Sequence, residues 1–246
     1  MVKCGIDLGS RYVKIAREYK NTFVFELIDT VDFYKNYVFR NSLGELFLNL
    51  NFSTEDYRIT ATGYGRNIMS FSNAEIISEI MAHFKGAKYQ TKKDNFTLID
   101  LGGQDSKIIK VRGGFIDDFV MNDKCAASTG RFLENASQIL KMSLEELGSC
   151  TENPVKLNST CAVFSESELI GKIAEGVKFS EIAAGVNHSS AKRIAPMLKR
   201  MKSEEYFIAG GVGNLYGIRY FLERELDAEI KRLENCQFNG AIGCLV

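Results

Sequence analysis

Histidine is nearly missing from this chain, with two residues, His83 and His188, in 246. A His-rich metal centre is therefore excluded. Net charge is missing as well. The 31 Lys and Arg residues balance 31 Asp and Glu, so no global field draws the chain to nucleic acid or to an anionic membrane. No apolar stretch reaches the ~18 residues that a membrane span requires. Met1 leads directly into a strand pattern without a signal-peptide profile, and the expected location is cytoplasmic. Six Cys are present, but without a C-x-x-C or a secretory context they do not suggest a disulfide framework. Only two Pro interrupt the chain: Pro154 marks a loop and Pro196 should kink a helix. Low-complexity segments are absent. Hydrophobic residues make up 45%, enough for a packed core and too much for a disordered chain.

What is present is a repeat. Asp7-Leu8-Gly9-Ser10-Arg11-Tyr12-Val13-Lys14-Ile15 is echoed by Asp100-Leu101-Gly102-Gly103-Gln104-Asp105-Ser106-Lys107-Ile108. Each copy reads as a β-hairpin entered by an apolar strand. Unpaired backbone N–H groups in such a turn form an anion site, and an adjacent carboxylate can hold a divalent cation. Gly9, Ser10, Arg11, Gly102 and Gly103 are candidate phosphate contacts, with Asp7 and Asp100 as candidate Mg²⁺ contacts. The competing reading is an ordinary hairpin whose Asp caps the turn. Phosphoryl transfer to water requires positioning more than a protein nucleophile. Gln104 is a candidate for orienting that water and Asp105 for supporting it. Lys14 is placed with the phosphate contacts, and Lys107 is read as facing solvent.

The pattern around the repeat is α/β, with two β-β-β-α-β-α lobes expected at 1–94 and 95–246. In the first, strands are read at 2–7, 13–18, 23–30 and 58–62, and helices at about 42–50 and 72–84. Ser72-Asn73-Ala74-Glu75 is taken as the capping box of the later helix. In the second, strands are read at 96–101, 106–112, 115–121 and 206–209. Helices follow at about 129–140, 165–177, 181–201 and 215–226, with Ser165 to Glu168 taken as a capping box. Strand 206–209 runs into Gly210-Gly211-Val212-Gly213-Asn214 and a helix, which lets a flat ligand or phosphate approach the backbone. Gln237 is a further candidate nucleotide contact. Thr62 to Asn67 reads as a structural turn, and the two His as surface or helix-packing residues.

Cys125 and Cys161 each lie at the start of an expected helix, where the helix dipole stabilises a thiolate or an anionic group bound to it. They are either small buried apolar residues or half of a cluster-ligand set that a two-fold dimer would complete. Cys4 reads as core, and Cys150, Cys236 and Cys244 carry no assignment.

The duplicated lobes, the two aspartate turns and the strand–glycine loop–helix unit resemble the acetate and sugar kinase, heat-shock protein and actin superfamily. That resemblance implies RNase H-like lobes with ATP in a cleft between them. Its two turns hold phosphates with Mg²⁺, and Gly210, Gly211, Gly213 and Asn214 lie against adenosine. More specifically, ATGYGRN (61–67), IDLGGQDSK (99–107), MNDKCAASTGRF (121–132), STCAVFSESE (159–168) and FNGAIG (238–243) resemble the ATP-dependent activators of 2-hydroxyacyl-CoA dehydratases. The ATP-binding subunits of benzoyl-CoA reductase belong to the same family. This implies a homodimer holding one [4Fe-4S] cluster through Cys125 and Cys161 of both subunits. ATP hydrolysis would drive a low-potential electron into a partner iron–sulfur dehydratase or reductase acting on a CoA thioester, with ferredoxin or flavodoxin as electron donor. Arg11 stands where that family usually has a small hydroxyl residue, and Ser128 where it has Gly. The alternative is a small-molecule kinase of the same fold without a cluster.

Overall fold

The computed structural model describes residues 2–20, 22–42, 44, 46–50, 57–66, 74–123, 129–158 and 162–246. It divides into two compact units, Met1–Lys92 with Gln237–Val246, and Lys93–Cys236.

The first unit opens with β1 (Val2–Leu8), β2 (Tyr12–Tyr19) and β3 (Thr22–Asp29). Cys4, Ile6 and Leu8 are buried on β1, and Val13 and Ile15 on β2. α1 (Thr30–Tyr37) begins at once because the Asp29 carboxylate accepts from the N–H groups of Val31 and Asp32, satisfying donors that a helix start leaves open. The helix expected near 42–50 does not form. Instead β4 (Val38–Arg40) and β5 (Leu46–Leu48) make a small antiparallel hairpin. Gly44 turns back with φ +81°, and the Phe39 and Phe47 rings pack 5.7 Å apart across the pair. A short apolar run carries no period that distinguishes strand from helix.

β6 (Tyr57–Gly63) and β7 (Glu75–Ile76) follow, then α2 (Glu79–Thr91). The sequence placed this helix at 72–84. Ser72 and Asn73 lie outside the described residues, and the observed cap is Ser78, whose side chain accepts from the Met81 N–H.

The second unit holds β8 (Phe96–Leu101), β9 (Ser106–Arg112), β10 (Phe115–Asn122), α3 (Gly130–Leu140) and α4 (Leu144–Ser149). α5 (Ala162–Ala174), α6 (Phe179–Arg200), β11 (Tyr206–Ala209), α7 (Tyr216–Leu226) and β12 (Ile230–Arg232) complete it. Pro196 lies inside α6, one turn before its end. The capping box expected at Ser165 is corrected: α5 starts earlier, Ser165 is buried within it, and the Glu168 carboxylate accepts from the Asn158 N–H at 2.7 Å. The capping box observed is Ser143 with Glu146, opening α4.

The chain closes with α8 (Asn239–Gly243), all five residues buried. The sequence reading gave residues 237–246 to the second lobe, whereas Gln237–Val246 belongs to the first unit. Ala241 and Leu245 share a small core with Ala16 there.

The two units repeat one sheet. Their strand orders are β3-β2-β1-β6-β7 and β10-β9-β8-β11-β12. In both, the first three strands pair antiparallel and the remaining pairs are parallel. Even a strand-end detail recurs. Gly63 has φ +94° and Gly210 φ +84°, and a side chain at either would strike the backbone of Leu8 or Leu101 respectively. Only glycine tolerates both that conformation and that contact.

Candidate functional site

The two aspartate turns each span the four residues beyond the last paired residues, Leu8 with Val13 and Leu101 with Ser106, and their register explains the repeated spacing. Asp7 pairs across β1–β2 with Lys14, and Asp100 pairs across β8–β9 with Lys107. Residues directly opposite in an antiparallel pair bring their side chains together. In the first turn Lys14 Nζ donates to Asp7 Oδ2 at 3.2 Å, with the lysine side chain 18% and the aspartate 7% exposed. The turn is held from outside by Thr30 at the start of α1, whose hydroxyl donates to the Gly9 carbonyl at 2.8 Å and whose N–H donates to the Arg11 carbonyl at 3.2 Å. The Arg11 guanidinium donates to Asp29 and lies 4.8 Å over the Tyr12 ring. Its charge is thus engaged beside the turn. Ser10 is partly exposed at the tip.

The second turn is more closed. Lys107 was read as facing solvent, yet its side chain is 3% exposed, with Nζ 2.6 Å from Asp105 Oδ2 and 3.5 Å from Asp100 Oδ2. A buried ammonium requires such compensation. The Gly102 N–H donates to the Asp105 carbonyl at 2.9 Å, closing the hairpin. Gln104 is exposed at the tip and Gly103 is partly exposed. The signal that would have found Lys107 is the register itself: a Lys seven residues after an Asp, across a hairpin turn, faces that Asp.

The glycine loop lies beside this turn, because β11 pairs parallel with β8 and sets Ala209 opposite Asp100. The Gly210 N–H donates to the Cys236 carbonyl at 2.9 Å, and a 3₁₀ turn spans Val212–Asn214. Val212 and Gly213 face inward, while Gly211 and Asn214 are exposed. The Asn214 side-chain oxygen accepts from Arg232 at 3.1 Å. Gln237, half-buried, opens the segment that belongs to the first unit.

A connection the sequence did not reveal ties the second turn to α3. The Gly130 N–H donates to the Gly102 carbonyl at 3.0 Å, and the Arg131 N–H to the Gly103 carbonyl at 2.9 Å. The first turn of α3 thus spends its open donors on the carbonyls of the aspartate turn.

Cys125 and Cys161 lie outside the described residues. In sequence the first falls between β10 and α3, and the second immediately precedes α5. Among the described residues no group of three or more His, Cys, Asp or Glu is placed to hold a metal ion. Cys4, Cys150, Cys236 and Cys244 are free thiols. Burial pushes Cys4 up to about 11 and Cys236 to about 12, and raises Cys150 and Cys244 as well. Among the described residues no helix is long and apolar enough to cross a membrane.

The chain is similar to the (R)-2-hydroxyglutaryl-CoA dehydratase activating ATPase of Acidaminococcus fermentans, with 40% identity over 207 residues that cover 82% of this chain and 79% of the relative. Among solved structures it is similar to the activator of the 2-hydroxyisocaproyl-CoA dehydratase from Clostridium difficile with bound ADPNP. There the TM-score is 0.85 at 34% identity, covering 100% of this chain and 93% of the other. A likeness of fold alone extends to MreB5 of Spiroplasma citri bound to ADP, with TM-score 0.60 at 12% identity over 98% of this chain and 94% of that one. The fold is therefore the actin-like ATPase fold, as the superfamily resemblance implied. The BadF/BadG/BcrA/BcrD ATPase family model matches residues 4–246, and the chain belongs to that family.

Proposed function

We propose that this chain is an ATP-hydrolysing activator that delivers a low-potential electron to a partner iron–sulfur dehydratase or reductase acting on a CoA thioester. Asp7 and Asp100 are the groups that hold Mg²⁺ with the nucleotide. Buried carboxylates at strand ends are hard oxygen donors suited to that cation. Backbone N–H groups of Gly9, Ser10, Gly102 and Gly103 take the phosphate oxygens. Lys14, partly exposed and paired with one carboxylate, turns to the phosphates. Lys107 stays clamped between Asp100 and Asp105. Gln104 orients the attacking water and Asp105 supports it. The face of the Gly210–Asn214 loop carrying Gly211 and Asn214 lies against the nucleoside, with Gln237 as a further contact.

The observation that carries the reading is the pair of hydrogen bonds from Gly130 and Arg131 to the carbonyls of Gly102 and Gly103. A turn that moves when the γ-phosphate is lost pulls directly on the start of α3, the helix that follows Cys125. The sequences flanking Cys125 and Cys161, which resemble those of the dehydratase activators, support these two as the donors for a cluster. With only two such cysteines per chain, a cluster with four thiolate ligands requires a homodimer. Cys125 and Cys161 would hold a [4Fe-4S] cluster that would supply the one-electron carrier, with ferredoxin or flavodoxin as the electron donor. A kinase of the same fold is not favoured by the activators this chain resembles, and it gives Cys125 and Cys161 no task.

The test is iron content. Anaerobically purified protein should be brown with about four iron atoms per dimer. Cys125→Ser and Cys161→Ser should each lose the iron and keep their affinity for ADPNP. Iron retained by either variant refutes the ligand assignment. A colourless wild-type protein that phosphorylates a sugar or an acid refutes the activator reading.

A further inference from the structure

His83 is a buried imidazole that none of the roles above uses. It sits on α2, 7% exposed, against α8. Asn239, fully buried, donates from Nδ2 to the His83 carbonyl at 2.9 Å, and the same Nδ2 lies 3.4 Å from His83 Nδ1. The amide is oriented by its other end, because Asn239 Oδ1 accepts from Gln90 Nε2 at 3.0 Å. An amide NH₂ can only donate, so His83 Nδ1 is the acceptor and the ring proton resides on Nε2. That Nε2 lies close to Asp7. A methyl group built on Gly240 would stand 3.1 Å from His83 Nε2 and 3.0 Å from Asp7 Oδ2. The two polar atoms thus border the same small space beside a buried glycine of α8, and the two distances place them no more than 6.1 Å apart. Asp7 Oδ2 is also the oxygen that receives Lys14.

We propose that His83 is a positioning residue for Asp7. Its Nε2–H fixes the Asp7 carboxylate in the orientation that receives the nucleotide's Mg²⁺, and Asn239 fixes the tautomer that makes this possible. The inference rests on the reading of Asp7 as a magnesium-holding group. Partners of this kind orient the groups that touch the metal and set their affinity for it.

The two ring nitrogens can be tested separately. His83→Asn keeps a polar atom where Nδ1 stands and loses the one at Nε2. His83→Gln keeps a donor near Nε2. The measurement is calorimetric binding of ADPNP to the anaerobically purified protein, with and without Mg²⁺. In His83→Asn the tightening produced by Mg²⁺ should fall about tenfold, whereas His83→Gln should stay within about twofold of the unaltered protein. Binding without Mg²⁺ should be unchanged in both. Full Mg²⁺ tightening in His83→Asn overturns the proposal, as does an equal loss in the two variants. Asp7→Asn separates the two levels of the argument. If it retains the Mg²⁺ effect, the reading of Asp7 fails. If it loses the effect while His83→Asn keeps it, only the role of His83 fails.

Discussion

Lys107 Nζ lies 2.6 Å from Asp105 Oδ2, with the lysine side chain almost wholly removed from water. Its counterpart Lys14 pairs with one carboxylate at 3.2 Å and keeps 18% of its side chain exposed. The repeat therefore contains one ammonium that is fixed and one that can turn away. Lys107→Met leaves two carboxylates facing each other without compensation and should cost about 3 kcal/mol of stability. Lys14→Met should cost under about 1 kcal/mol, in the range of partly exposed pairs, while weakening ADPNP binding. Urea denaturation and nucleotide titration of the two variants check this contrast.

Gly130 approaches the second turn closely: a Cβ there would lie 3.2 Å from the Gly103 Cα and 3.4 Å from the Gly102 carbonyl oxygen. Gly130→Val should push the start of α3 away from the turn while leaving both aspartates in place. ATP hydrolysis should persist. Electrons delivered per ATP hydrolysed should drop about tenfold, within the range of ordinary coupling energies. The check is parallel measurement of phosphate release and partner reduction. Equal loss of both would show that Gly130 serves only the turn.

Alkaline pH should weaken the second unit through Cys236. Its thiol is pushed up by burial from 9.0 to about 12. Above pH 9 the unfolded chain releases this proton while the native chain keeps it, so the unfolded state is favoured as pH rises. The contribution is fully present below pH 9 and is lost progressively towards pH 12, at about 1.4 kcal/mol per pH unit. Unfolding free energies from denaturant titrations should fall above pH 9, and in Cys236→Ala the fall should be shallower by about 1.4 kcal/mol per pH unit. The same burial makes the native thiol resist alkylation at pH 8.

The strands around both turns were legible because alternating apolar residues and a seven-residue Asp-to-Lys spacing fix a hairpin register without reference to the rest of the chain. The helix starts were less legible. Ser165 and Glu168 fit the capping pattern, yet α5 begins at Ala162, because a serine inside a helix has the same spelling as a serine that caps one. The exposure of Lys107 and the environment of His83 depend on which elements pack beside them, and no local pattern encodes that. His83 and His188 are both helix-packing residues, one against α8 and the other 4.8 Å from the Phe221 ring. The contacts of Gly130 and Arg131 with the second turn join segments separated by two strands, so they were out of reach of a motif search. Cys125 and Cys161 were singled out through the resemblance of their flanking sequences, and both lie outside the described residues.

The packing of α8 on α2 and β1 also has a consequence for how the chain is made. Asn239 is locked to His83 and Gln90, and the Leu245 carbonyl accepts from Lys3 at 3.5 Å. Residues from two distant stretches of the sequence thus complete one core. During synthesis β1 leaves the ribosome well before α8, so their unit lacks a wall until α8 emerges. The second unit, continuous in sequence, has no such delay. Of the two units, the one that starts earlier in the sequence finishes folding later.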